Sequence, residues 1–351
     1  MTQILSNSKI LITGGAGFIG SNLVEYFLRN NNEVVCLDNL STGHRKNIIE
    51  FLDHPNFQMV EGDIRDLDTC KSAVRDCEFV FHQAALGSVP RSIKDPVTTN
   101  SVNIDGFLNM LTAARDEEVK RFIYAASSST YGDLLDKIKV EDRIGRPLSP
   151  YAITKVVNEY FAQVYSEIYG LETIGLRYFN VFGRRQDPNG AYAAVIPLWI
   201  KKLLALESPV INGSDQISRD FTYIDNVIHA NEVAATTPTP LFLERLNAYY
   251  RANTETNGNG SNLEVVMDVF NVACGKTTSL RELLEALKHH LSRFDDAIRK
   301  IEAEIGPARD GDVAYSLASI EKAESVLGYD SQFSVNEGLE AVCQWYWDSI
   351  T

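Results

Sequence analysis

The chain has 351 residues, with 33 Lys and Arg against 47 Asp and Glu, a formal net charge of −14. Hydrophobic residues at 44% and charged residues at 23% make a globular composition, which excludes disorder, collagen and low complexity as the main state. The acidity argues against nucleic acid as a partner, because no global field draws in phosphates; an anionic substrate has to be held by local arginines and helix N-termini.

The length allows one large domain or two medium ones. Five cysteines (Cys36, Cys70, Cys77, Cys274, Cys343) form no CxxC pair and are odd in number. They read as reduced, buried small hydrophobes of a cytosolic protein. The opening MTQILSNSK lacks the basic segment of a signal peptide. The longest apolar stretch, AYAAVIPLWIKKLLAL, is broken by Pro197 and Lys201-Lys202, so no membrane span is expected and the predicted compartment is the cytoplasm.

In chain order, short apolar runs alternate with helix-length segments: 9–13, 33–37, 57–60, 79–81, 121–125 and 173–178. Each is too short for a helix and near-continuously apolar, as expected of strands covered on both faces. The alternation predicts an α/β fold with a doubly wound parallel sheet. The pattern loosens after Tyr178, although 269–273 reads as one more strand. A smaller mixed α/β C-terminal lobe is expected, built from 181–220 and 276–351. The first domain then takes 1–180 with returning segments at about 221–235 and 265–275. The polar stretch RANTETNGNGSN, 251–262, reads as a flexible insertion.

Directly after the first run come Gly14, Gly17 and Gly20, then a helical pattern from Ser21 to Arg29. The first glycine permits a tight turn, the second lets backbone approach a pyrophosphate, and the third lets the helix pack on the strand. Asp38 ends the second run, at the distance where a carboxylate accepts from a ribose hydroxyl and repels a 2′-phosphate. That favours NAD over NADP on a Rossmann sheet. Asp63 follows the third run and either holds the adenine edge or caps its own loop.

Ser149-Pro150 can cap and open a helix that carries Tyr151 and Lys155, four apart on one face. An ammonium there, with a cofactor pyridinium, favours the phenolate, so Tyr151 is a candidate base beside hydride transfer. Tyr-x-x-x-Lys alone is common on helices. Its weight comes from Ser127-Ser128-Ser129 at the end of an intervening strand, where a hydroxyl can meet the reacting oxygen and where a plain turn is the alternative.

GGAGFIG, Asp38, SSSTYG, YAITK and RYFNVFG in this order resemble the extended short-chain dehydrogenase/reductase family. The likeness is strongest to its UDP-hexose 4-epimerases, especially the UDP-N-acetylglucosamine 4-epimerase branch, and covers all but 251–262. It implies Ser127, Tyr151 and Lys155 as catalytic. It implies NAD contacts from Gly14, Gly17, Phe18, Ile19, Asp38, Asn39, Asp63, Ile64, Gln83, Ala84, Ala85 and Tyr178, with Asn103 orienting Lys155 through water. For the sugar nucleotide it implies Ser88, Ser128, Ser129, Asn180, Ala194, Val195 and Asn212. Arg219 and Arg309 would grip phosphate oxygens and Asp312 the uridine ribose; by residue type alone the two arginines read as surface ion pairs. Related dehydratases carry Asp-Glu where Ser128-Ser129 stand, and related decarboxylases a Glu, so elimination lacks its acid and base. Counting from Asp312 and from Lys322 places Ser316 at the position that is a large Tyr in enzymes limited to plain hexoses and small where N-acetyl sugars enter. Tyr315 lies one residue away, and Ala314-Tyr315 replace basic residues common in this branch.

The expected activity is therefore NAD-dependent, reversible C4 epimerisation of UDP-N-acetylhexosamine, with UDP-Glc/UDP-Gal as further substrates. Two alternatives stand beside it: 4-epimerisation of a UDP-hexuronic or UDP-N-acetylhexuronic acid, with Arg91 or Arg185 meeting the carboxylate, and a silent NAD-sensing scaffold. By family analogy a homodimer would form through 97–115 and 151–169. Gly275-Lys276-Thr277 is no P-loop, since residue 270 is Phe. No histidine spacing suggests a metal; His289-His290 and Asp295-Asp296 read as solvated helix faces.

Overall fold

The predicted apolar runs become seven parallel strands of one sheet in the computed structural model, which describes residues 4–190, 193–253, 263–307 and 315–350. They are β1 (Lys9–Thr13), β2 (Glu33–Asp38), β3 (Phe57–Glu61), β4 (Phe79–His82), β5 (Arg121–Ser127), β6 (Glu172–Tyr178) and β7 (Met267–Val272). Their spatial order is β7-β6-β5-β4-β1-β2-β3. The order reverses between β1 and β4, and a ligand crevice is expected there, outside the C-terminal strand ends. Several strands outrun their apolar cores at that edge. Asp38 still pairs with Glu61, and Ser127 with Tyr178. The hydrogen-bond ladder continues where side chains stop facing the core and begin to face the crevice.

Each sheet face is covered by helices. Phe18–Arg29 and Ile224–Thr236 bury Leu23, Val24, Phe27, Val227 and Ile228 on one face. Leu67–Val74, Gly106–Asp116 and Pro150–Tyr169 bury Val74, Phe107, Leu111 and Ala162 on the other. The first of these helices begins at Phe18, not Ser21, because the glycine turn runs straight into it with Gly17 as N-cap. All five cysteines are buried and unpaired. Arg121 is also fully buried in β5, and its charge is matched: Glu172 lies 2.6 Å away and the carbonyls of Ala234 and Thr237 accept from it. A guanidinium closing a helix C-terminus in this way meets the negative end of the helix dipole.

The smaller lobe is assembled from distant pieces. A four-stranded sheet runs Thr278–Ser279, Ser218–Arg219, Tyr315–Ala318, Ile138–Lys139; the first pair is antiparallel and the others parallel. The expected insertion is partly corrected: Arg251 to Asn253 finish the helix Thr239–Asn253, and 254–262 lie outside the described residues. Arg309, Asp312 and Ala314 also lie outside them. His290 is not solvated, as its charged helix had suggested. It is 3% exposed, with Nε2 3.0 Å from Asn336 Oδ1; only His289 faces out. Asp295 caps a short 3-10 turn by accepting from Ala297 N, so it is not a helix face. No helix among the described residues is long and apolar enough to cross a membrane.

Candidate active site

The glycine turn works by close approach. Gly14 has φ +67°, and a Cβ there would stand 2.8 Å from Ala84 N. A Cβ on Gly20 would run into Gly14 O, so the helix can seat on the turn only with glycine there. The helix N-terminus therefore opens onto a groove. Gly14, Gly17, Phe18, Ile19, Asp38, Asn39, Asp63, Ile64, Gln83, Ala84 and Ala85 all line it, as do Thr42 and Gly43, which carried no sequence signal.

Asp38 is held by two backbone donors, Ala16 N to Oδ2 at 3.0 Å and Leu40 N to Oδ1 at 2.8 Å. Burial pushes its carboxyl up, against those donors. Each oxygen keeps lone-pair capacity for a diol. Asp63 is engaged by Arg65 at 2.6 Å and Asn39 at 2.9 Å, which hold it far below the usual carboxylate range. At the inner end Gln83 Oε1 is buried without a hydrogen-bond partner, and Asn231 donates to Tyr178 Oη at 2.9 Å. An unpartnered buried acceptor beside a glycine turn and a diol-accepting carboxylate fits a dinucleotide.

Ser149 accepts from Ala152 N at 3.1 Å and Pro150 opens the helix Pro150–Tyr169, as expected. That helix sets Tyr151 and Lys155 against the end of β5. The Tyr151 and Ser127 hydroxyls are hydrogen-bonded. Ser127 Oγ accepts from Ser129 N at 3.1 Å and lies 2.9 Å from Ser129 Oγ. Lys155, 2% exposed, donates to Ala125 O at 2.7 Å, and its Nζ is 5.9 Å from the Tyr151 ring centre. Asn103 sits in a π turn, Ser101–Asp105, inserted into the preceding long helix. Its side chain accepts from Leu86 N at 2.8 Å and donates to Thr154 at 3.1 Å, one residue before Lys155.

Spacing suggested that Lys155, together with a cofactor pyridinium, would favour the Tyr151 phenolate. In the protein alone burial dominates: it pushes the Tyr151 phenol up, against the Ser127 hydrogen bond, and pulls Lys155 down to about 8, against the pull of Glu159. Proximity along a helix does not overcome desolvation by itself.

A second cavity, about 360 Å³, adjoins the small sheet. Asn180, Ala194, Val195, Asn212 and Arg219 line it, together with Phe182 from the RYFNVFG segment and Gln186, Trp199 and Phe221, which carried no recognisable motif. Ser88 caps the helix Val89–Lys94, and Ser128 and Ser129 are half-buried beside Ser127. Ser316 pairs in register with Arg219. Arg185, a candidate for a sugar carboxylate, is corrected: its guanidinium reaches Glu25 and Glu50, both at 2.6 Å, away from this cavity. No group of three or more His, Cys, Asp or Glu among the described residues could hold a metal ion.

A family model described as the NAD dependent epimerase/dehydratase family matches residues 10–242. A UDP-glucose 4-epimerase from Mycolicibacterium smegmatis is 33% identical over 340 residues, 96% of this chain and 98% of that protein. Among solved structures, a UDP-N-acetylglucosamine 4-epimerase from Methanobrevibacter ruminantium M1, in complex with UDP-N-acetylmuramic acid, is 33% identical with a TM-score of 0.82, covering 98% of this chain and 100% of that one. A UDP-glucuronic acid 4-epimerase from Bacillus cereus, in complex with UDP-glucuronic acid and NAD, is 28% identical with a TM-score of 0.81, covering 97% and 99%. The chain thus belongs to the NAD dependent epimerase/dehydratase family and, within it, is an NAD-dependent enzyme of the UDP-sugar 4-epimerase type.

Proposed function

We propose that this enzyme interconverts the C4 epimers UDP-GlcNAc and UDP-GalNAc, with UDP-Glc and UDP-Gal as further substrates. The observation that carries the N-acetyl reading is the register of Ser316 with Arg219. Neighbours in a parallel pair share a face, so the small Ser316 side chain lies on the side of Arg219, which lines the cavity. Tyr315 is paired with Ser218 and alternates to the opposite side. This alternation puts the small residue rather than the bulky one on the face of Arg219, which supports the N-acetyl reading.

In this reading the groove residues from Gly14 to Ala85 hold NAD, with Asp38 on a ribose diol. NAD bound there in its oxidised form supplies a hydride acceptor and a positive charge. Tyr151 removes the proton of the C4 hydroxyl while Ser127 donates to the same oxygen. Lys155, held on Ala125 O, stabilises the phenolate that the added charge makes accessible. The 4-keto sugar would turn over about its diphosphate linkage, so that C4 regains hydride from the bound cofactor on its opposite face while Tyr151 returns the proton to the C4 oxygen. Arg219 grips the diphosphate with its planar guanidinium. There is no net redox change, so the cofactor stays bound through turnover.

The engagement of Arg185 by two carboxylates counts against it, though not against Arg91, as the reader of a uronic acid. We also place the enzyme in the cytoplasm as a homodimer. Ile153, Tyr160, Val164 and Ile168 form an exposed apolar stripe at helical spacing, and Val97 is 78% exposed, which supports a helix seam between copies. The test mixes purified protein with UDP-GlcNAc and no added NAD. UDP-GalNAc should form; its absence from protein shown to carry NAD rejects the reading.

A further inference from the structure

Asp220 follows Arg219 and is fully buried. Its carboxylate meets backbone amides rather than a cation: Cys274 N donates to Oδ1 at 2.9 Å and Ala318 N to Oδ2 at 3.4 Å. Its own backbone is engaged too. Asp220 N donates to Ser316 O at 3.0 Å, and Asn180 Nδ2 donates to Asp220 O at 2.9 Å. One residue thus fastens the strand of Arg219, the strand of Ser316, the turn after β7 and Asn180. Among the described residues this carboxyl is met by N–H dipoles, and burial pushes it up to about 7 against them. Keeping a carboxyl there is expensive, which argues that the position it enforces is useful. An amide cannot replace it, since its NH₂ would face one of the two backbone donors.

We propose that Asp220 is a positioning residue that sets the spacing between Arg219 and Ser316, and through it the affinity for the UDP-sugar and the preference for N-acetylated sugars, without acting on the NAD groove. The proposal rests on the UDP-sugar reading of this cavity. Its test uses holoenzyme carrying Asp220→Asn, with Asp220→Glu as a second variant that keeps the carboxyl. Bound NAD, melting temperature, kcat and KM are measured, and UDP alone is titrated calorimetrically. Bound NAD should stay at the wild-type ratio and kcat within about 3-fold, while KM and the Kd for UDP rise about 10-fold or more and the UDP-GlcNAc over UDP-Glc preference falls. The glutamate variant should sit between wild type and Asp220→Asn. Unchanged UDP affinity and preference would overturn the proposal. So would loss of NAD and of thermal stability in both variants, since Asp220 would then serve folding. UDP affinity is read without turnover, so failure of wild type to convert UDP-GlcNAc is a separate result.

Discussion

Arg219 and Ser316 are register partners in a parallel strand pair, joined again through Asp220 N to Ser316 O. The candidate phosphate grip and the candidate sugar gate are therefore one rigid unit, although nearly a hundred residues separate them. Filling the gate should change sugar choice without weakening the grip. Ser316→Tyr should lower kcat/KM for UDP-GlcNAc about 100-fold and leave UDP-Glc within a few-fold, since exclusion by volume is an added repulsion and not a lost contact. Steady-state rates on both sugars check this; equal losses on the two would place Ser316 away from the gate.

Ser127 interacts with the Tyr151 hydroxyl, which supports the proposed meeting of both groups on the C4 oxygen. Tyr151→Phe should cost about 10³-fold in kcat and Ser127→Ala about 10²-fold, both with NAD retained. The double variant should lose little more than Tyr151→Phe, because the two hydroxyls act as a unit. Multiplicative losses would assign them separate steps.

The sheet and the cofactor groove were readable because their signals are local. Apolar runs of strand length and three glycines at fixed spacing each declare themselves within about ten residues. The small lobe was not: Ser218–Arg219, Thr278–Ser279 and Ile138–Lys139 are two-residue strands with no periodicity to detect, and they exist only once distant segments meet. The same blindness explains Arg185, whose partners Glu25 and Glu50 lie in the N-terminal half, and His290, whose partner Asn336 lies on the last helix. Gln186 lines the second cavity with no motif to mark it. Helical spacing gave the closeness of Lys155 to Tyr151, but spacing contains nothing about water being removed from both.

Lys155 offers a pH signature. Burial pulls its ammonium down to about 8 from an ordinary value of 10.5. Between those values the unfolded chain binds the extra proton, so this group makes stability rise with pH across that window, by up to a few kcal/mol. Below pH 8 the folded protein carries the full cost of the buried charge. Lys155→Met should therefore raise the melting temperature of the NAD-free protein near pH 7 and flatten the stability gain from pH 8 to 10, while abolishing turnover. Denaturant melts of both proteins across that range provide the check. An equal pH slope in the two would mean that Lys155 stays charged throughout.

Arg185 is held by two carboxylates. Its guanidinium joins Glu25, which is 7% exposed, to Glu50 on the surface. Arg185→Ala leaves Glu25 with Arg184 at 3.6 Å and Arg29, so part of its compensation survives. The expected loss is about 2 kcal/mol, below that of a fully orphaned buried charge, or several degrees in melting temperature for a chain of this size. On the proposed reading, an arginine occupied in this way does not meet a sugar carboxylate. The ratio of rates on UDP-GlcNAc and UDP-glucuronic acid should then match that of wild type. A selective collapse of the uronate rate would mean that Arg185 leaves Glu25 and Glu50 when substrate binds.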